Sequence, residues 1–282
     1  MKRFFKGLAV ALTAVICFAF TACGGGKPVK VMKDILLTEE DYAFAIKQDN
    51  DSLREQVNGY LTEWKADNSL DNLINSYFNG TATFSYTNKT TTPAADDFVM
   101  ATNAAFPPFE YKKGSAFTGI DVELAYKMAE KSNKNLFVYD MDFNAIIPSV
   151  KAGTSDIGMA GMTVNATRLK DVDFADPYYT SAQVITVLKD DTTFDNCTTA
   201  AEVEAILAQK GKDYAIGAQN GTTGYMYTKG NEDFEYDGFA NLTTKGYTTG
   251  ALAFADLSNG KINAVILDLQ PSLMIAKSTN SK

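Results

Sequence analysis

The stretch from Asp142 to Tyr179, DFNAIIPSVKAGTSDIGMAGMTVNATRLKDVDFADPYY, constrains the fold most, because a helical stripe, a buried strand, a tight turn and a second helix start follow one another in it. Ile146, Ile147, Val150 and Ala152 recur at helical spacing, Gly153 is placed to stop that helix, and Asp156 to Ala160 reads as a short buried strand. This is half of a βαβ unit and points to an α/β fold. Gly161-Met162-Thr163 is then a small-residue turn, and Asn165 is a cap for a helix carrying Ala166, Thr167 and Arg168. A strand-to-helix turn presents free N–H groups and the positive end of a helix, to which Thr163 adds a hydroxyl and Arg168 a fork that fits a carboxylate. Taken alone, the same residues are better read as one ordinary surface arginine on one helix, since turns with a nearby Arg are common in α/β proteins.

The beginning of the chain has a different character. Met1 to Lys6 is basic, Gly7 to Phe20 is apolar, and Phe20-Thr21-Ala22-Cys23 closes the run, the layout of a secretory signal rather than a spanning helix. Residues 1–22 are therefore expected to be a signal peptide. Cys23 resembles a lipobox cysteine, which implies lipidation there and a tether over 23–28 that includes Gly24 to Gly26. Of three cysteines, Cys17 falls in the signal and Cys23 would be acylated, so Cys197 is left without an internal disulfide partner. The sequence has no histidine, which excludes histidine catalysis and histidine metal ligation, and no metal or cofactor is expected. Acidic residues outnumber basic ones 34 to 26, which argues against a nucleic-acid surface. At 282 residues the chain is long enough for two modest domains.

Along the mature chain, Val29 to Leu37 reads as a strand and turn, and Thr38 to Lys47 as a second extended run. Leu53, Val57, Leu61 and Trp64 share a helical face capped by Asp51 or Ser52, and Leu70, Leu73, Ile74, Tyr77 and Phe78 form another apolar stripe. Asn79 to Asp97, rich in Thr, Asn, Gly and Ala, reads as a linker on which Phe84 and Tyr86 can dock locally. Phe98 to Ala101 is a buried strand, and Asn103 to Phe109 is the loop leaving it, where open α/β sheets place ligand contacts. Gly119 opens a helix buried through Ile120, Leu124, Ala125, Met128 and Ala129, and Leu136 to Tyr139 is the next strand. Further elements are expected at Gln183 to Leu188 (strand), Glu202 to Leu207 (helix), Tyr214 to Gly217 (strand), Gly221 to Gly224 (turn), Leu252 to Leu257 (helix) and Ile262 to Leu267 (strand).

The wording of several segments resembles the amino-acid-binding family of solute-binding proteins of ABC importers, bacterial extracellular solute-binding protein family 3. The resemblance is carried by Ala160-Gly161-Met162-Thr163, Arg168 and Val172 to Tyr179 (VDFADPYY). It extends to Ala101 to Glu110, Gly119 to Ala125, Ile216 to Thr223 and Ala264 to Asp268, so it covers nearly the whole mature chain. It implies a two-lobe periplasmic-binding-protein-like fold (type II), each lobe a mixed sheet flanked by helices. Residues 37 to 78, however, resemble the carboxyl-terminal end of such proteins yet come first. The implied arrangement is therefore circularly permuted, with residues 29–37 and 189–282 in the second lobe, 43–182 in the first lobe including the linker 79–97, and hinge strands at 38–42 and 183–188.

The resemblance also implies roles. Arg168, Thr163 and the backbone of Gly161, with Thr222 and Thr223 from the second lobe, would hold an amino acid's carboxylate, and Asp268 its ammonium. Phe106 and Phe143 would wall the side chain, although aromatic residues in such settings are commonly core. Asn103, Ala160 and Gln219 would face the side chain; all three are uncharged, which suggests a neutral polar amino acid such as glutamine. Glu110 is expected to follow the binding loop rather than face the pocket. The function implied is a monomeric, lipid-anchored extracytoplasmic receptor, attached to the membrane through its N-terminal lipid, that closes on its ligand and hands it to ABC permease subunits. The rival readings are a ligand sensor subunit and a dehydratase-like enzyme on the same fold.

Overall fold

The computed structural model describes residues 26–281; the expected signal peptide and Cys23 lie outside the described residues. Strands β1 (Val29–Val31), β2 (Glu40–Tyr42) and β3 (Ala45–Lys47) follow closely in sequence but serve three different sheets. Next come α1 (Asp51–Ala66) and α2 (Ser69–Phe78), which bury Val57, Leu61, Trp64, Leu70, Leu73, Ile74 and Tyr77, the stripes read from spacing. The cap of α1 is Asn50, ahead of the expected Asp51 or Ser52, because its side-chain oxygen accepts from Leu53 N at 3.3 Å. In the segment after α2, Tyr86 pairs with Phe117 through two backbone hydrogen bonds of 2.8 and 2.7 Å and donates its hydroxyl to Leu136 O, so it is docked as expected.

β4 (Phe98–Thr102) is buried at every residue, the signature of a central strand covered on both faces. Burying a Phe, Val or Met side chain of this kind stabilises by about 1.5–3 kcal/mol each. β5 (Ala105–Phe106), β6 (Glu110–Lys113) and β7 (Ala116–Thr118) form a small antiparallel sheet, followed by α3 (Ile120–Lys131), β8 (Leu136–Asp140), α4 (Phe143–Ala152), β9 (Ile157–Gly158), α5 (Ala166–Leu169) and β10 (Val172–Phe174). Gly153 ends α4 at φ 72°, the left-handed stop expected of it. The first-lobe sheet has the order β10-β3-β9-β4-β8, with β4 parallel to β8 and β9 and β3 antiparallel to its neighbours.

β11 (Tyr179–Ser181) pairs antiparallel with β2, Tyr179 opposite Tyr42, in a separate two-stranded ribbon where the chain passes between the lobes. β12 (Gln183–Leu188), expected as a hinge strand, instead runs inside the second-lobe sheet, antiparallel to both β1 and β15. Its residues Gln183 to Val187 are all buried, which an isolated crossing strand could not achieve. The lobe continues with α6 (Ala200–Ala208), β13 (Ala215–Gln219), α7 (Thr223–Lys229), β14 (Thr243–Tyr247), α8 (Gly250–Ser258), β15 (Ala264–Asp268) and α9 (Leu269–Asn280). Thr199 and Glu202 start α6 with reciprocal side-chain caps. The sheet order is β1-β12-β15-β13-β14, with β13 parallel to both β14 and β15. At the end of α9, the Asn280 side-chain oxygen accepts from Val29 N (2.8 Å) and its amide donates to Val29 O (2.9 Å).

Candidate ligand-binding site

The carboxyl ends of β4, β9, β13 and β15 point toward the space between the lobes, and the residues just beyond them line a small, tightly closed cavity. All the residues expected to contact a ligand meet there. Asn103, Phe106, Phe143, Ala160, Gly161, Thr163 and Arg168 come from the first lobe, and Gln219, Thr222, Thr223 and Asp268 from the second. Glu110, expected to lie outside, is also in the wall. It opens β6, and because strand side chains alternate, the first residue after the loop points back under it rather than out to solvent.

Arg168 is placed by local capping: the Asn165 side chain accepts from Arg168 N at 2.8 Å and starts α5. The guanidinium donates through Nη1 to Thr163 O and through Nη2 to Gly221 O, the latter at 3.0 Å across the lobes. Its Cζ lies 5.3 Å from the centre of the Phe143 ring. Burial pulls its pKa down to about 10, with Glu40 and Asp268 opposing, so it stays cationic at neutral pH.

Four acids are buried in this region, Glu40, Glu110, Asp121 and Asp268, of which Glu40 and Asp268 bear on Arg168. Asp268, at the end of β15, accepts the Tyr42 hydroxyl; burial first and then the neighbouring Glu40 push its carboxyl up to about 7. Asp121 accepts Gly161 N at 3.0 Å and the Tyr178 hydroxyl at 2.6 Å, yet burial raises it to about 6. Glu110 sits beside it, and burial first and then the Asp121 charge push its carboxyl up from the ordinary range.

Several donors assigned to a ligand carboxylate are already engaged within the protein. Gly161 N is bonded to Asp121, the Thr222 hydroxyl donates to Gln219 O (2.8 Å), Thr223 donates to Thr163 (3.0 Å), and Thr163 donates to Glu40. No local pattern signals this, because Glu40 and Asp121 lie far from the turn in the chain. At the side-chain end, Asn103 donates to Met141 O (2.7 Å), which turns its oxygen toward Gln219 Nε2 at 3.1 Å. That orientation leaves Gln219 Oε1 with no protein partner, and Glu110 Oε2, also buried in the cavity wall, has none either.

The model of bacterial extracellular solute-binding proteins, family 3, matches residues 98–263. The chain belongs to this family. An arginine-binding extracellular protein of Bacillus subtilis is 45% identical over 92 residues, 33% of this chain and 36% of that protein. An arginine-binding periplasmic protein of Mannheimia haemolytica is 31% identical over 185 residues, 64% of this chain and 65% of that one. The chain thus matches between 36% and 65% of the length of these relatives, less than two thirds of each. A solved ancestral arginine-binding protein bound to arginine superposes with a TM-score of 0.54 at 29% identity, over 65% of this chain and 74% of that one. The two-lobe architecture and the family expected from the wording of the sequence are therefore both found.

Among the described residues no group of three or more His, Cys, Asp or Glu is arranged to hold a metal ion, and no helix is long and apolar enough to cross a membrane.

Proposed function

We propose that this family member is a receptor for a free amino acid, bound between its lobes, with Arg168 taking the carboxylate and Asp268 the ammonium. The supporting observation is the charge layout: the buried Arg168 guanidinium of one lobe and the buried Asp268 carboxyl of the other face the same cavity, as a zwitterion requires. Ligand contacts with both lobes would favour their approach, and an ABC permease is the partner that would read it. Lipidation at Cys23 and attachment outside the cytoplasmic membrane complete this reading. A thermal-shift screen of residues 27–282 against the twenty amino acids tests it, since a ligand of the folded state must raise the melting temperature. No shift with any of them would sink it.

For the side chain, the neutral polar reading rests on Asn103, Ala160 and Gln219. The two unpartnered acceptors, Glu110 Oε2 and Gln219 Oε1, tip it toward a basic one. A guanidinium or ammonium brings donors only, whereas a glutamine amide would leave its own carbonyl facing acceptors. The names of the arginine-binding relatives agree with this direction. A larger shift with glutamine than with arginine or lysine would restore the neutral reading.

The permuted order is part of the same proposal. It is supported by the way residues ahead of the matched segment supply β1 to one lobe, β3 to the other and β2 to the ribbon, and by the Asn280 to Val29 pair. A rearranged chain running from residue 98 to 282 and then from 27 to 80 should fold with a similar melting temperature and the same ligand preference; an unfolded product would count against the reading.

A further inference from the structure

Glu40 has no role in the zwitterion scheme, yet its two oxygens join side chains of both lobes. It is buried on β2, two residues before Tyr42, so both side chains leave the ribbon on the same side. Its Oε2 accepts the hydroxyl of Thr163 from the first lobe. Its Oε1 accepts the amide of Gln183, at the start of a second-lobe strand, at 2.7 Å, and the Thr38 hydroxyl at 3.1 Å. Thr223 of the second lobe donates to Thr163 at 3.0 Å. An ionised carboxylate can only accept, so a hydroxyl chain that ends on it runs one way, from Thr223 to Thr163 to Glu40.

We infer that Glu40 is a positioning residue of the amino-acid site: it fixes the direction of the Thr223 and Thr163 hydroxyls across the lobes, so that Thr163 offers the cavity a lone pair and not a proton. This rests on the receptor reading above and changes one detail of it. Thr163 then belongs with Asp268 on the ammonium side, and the ligand carboxylate is left to Arg168. The Glu40 charge also bears on Asp268, whose carboxyl it raises. The other groups facing the two acids are Tyr42 on the ribbon beside Glu40, Arg168 on α5, Glu110 on β6, Tyr179 on β11 and Tyr236 of the second lobe.

The test compares Glu40→Gln, Glu40→Ala, Thr163→Val and the double variant Glu40→Ala with Thr163→Val. Glu40→Gln keeps the shape, because the Gln183 side chain can turn its unpartnered oxygen toward the new amide. NMR titration of Asp268 without added amino acid should show a lower midpoint in Glu40→Gln than in wild type. Arginine affinity by calorimetry should fall about tenfold in Glu40→Ala and in Thr163→Val, and the double variant should lose no more than the worse single one. Additive losses with an unchanged Asp268 titration overturn the inference. The same cycle is run on melting temperature without ligand. A wild-type protein that binds no amino acid would overturn the receptor reading, and coupling or additivity in the melting cycle would then uphold or overturn the role of Glu40 separately.

Discussion

Arg168 Nη2 donates to the Gly221 carbonyl at 3.0 Å, so the guanidinium fixed on the first lobe is tied to the strand-to-helix turn of the second. The same group is the only cation among the residues lining the cavity. Replacing it by lysine keeps the charge but loses the fork that can hold a carboxylate while bonding Thr163 O and Gly221 O. Arg168→Lys and Arg168→Ala should each weaken amino-acid binding by about 1.5–3 kcal/mol or more, roughly tenfold to a hundredfold. Calorimetry alongside a melting curve checks this, and wild-type affinity in either variant would refute the carboxylate assignment.

Asp268 makes binding pH-dependent. Its folded pKa of about 7 lies above the unfolded value of about 3.9, so the proton favours the folded state. Without ligand, stability should therefore fall as pH rises from about 4 through about 7; Asp121, raised to about 6, contributes in the same direction. An ammonium ligand needs the ionised form, so affinity should move oppositely and weaken as pH drops through about 7. Melting temperatures and calorimetric titrations across that range, with Asp268→Asn as control, read both slopes. The variant should flatten the stability slope and bind weakly at every pH.

The parts of this molecule that could be read from sequence are those in which local pattern and final environment agree. The stripes of α1, α2 and α3 are buried as their spacing requires, and Asn165 caps the helix that carries Arg168. Family wording located the cavity residues, which spacing alone left open. What escaped depended on distant partners. β14, Thr243–Tyr247, is an edge strand with mostly polar, exposed residues and no apolar alternation to find. Gln183–Leu188 has the composition of any β-rich strand, and its place in the sheet is set by β1 and β15, not by its own residues. Glu110 and Glu40 are ordinary loop-side acids in the sequence; burial and the opposing lobe turn them into parts of the site.

Glu110 separates the basic from the neutral reading. Glu110→Gln supplies a donor where an unpartnered acceptor stands and takes away the carboxyl beside Asp121. Arginine or lysine binding should weaken by about tenfold, while glutamine binding stays within about threefold or improves. Competition calorimetry with the three ligands measures this. Equal losses for all three would mean that Glu110 supports the wall without contacting the side chain.

Gly221 meets the opposite lobe most closely. Its φ is +75°, in the left-handed region, and a Cβ there would collide with the Asn144 side chain of α4. Each lobe folds around its own sheet, so the clash falls on the approach of the lobes and not on either core. Gly221→Ala should therefore hold the lobes apart: ligand affinity should drop by about tenfold or more, beyond the roughly 1 kcal/mol of backbone strain. Small-angle scattering should show a larger radius of gyration, with no matching gain when amino acid is added. A variant with unchanged affinity and unchanged scattering would show that Asn144 swings aside, and that the contact between α4 and the Gly221 turn does not control closure.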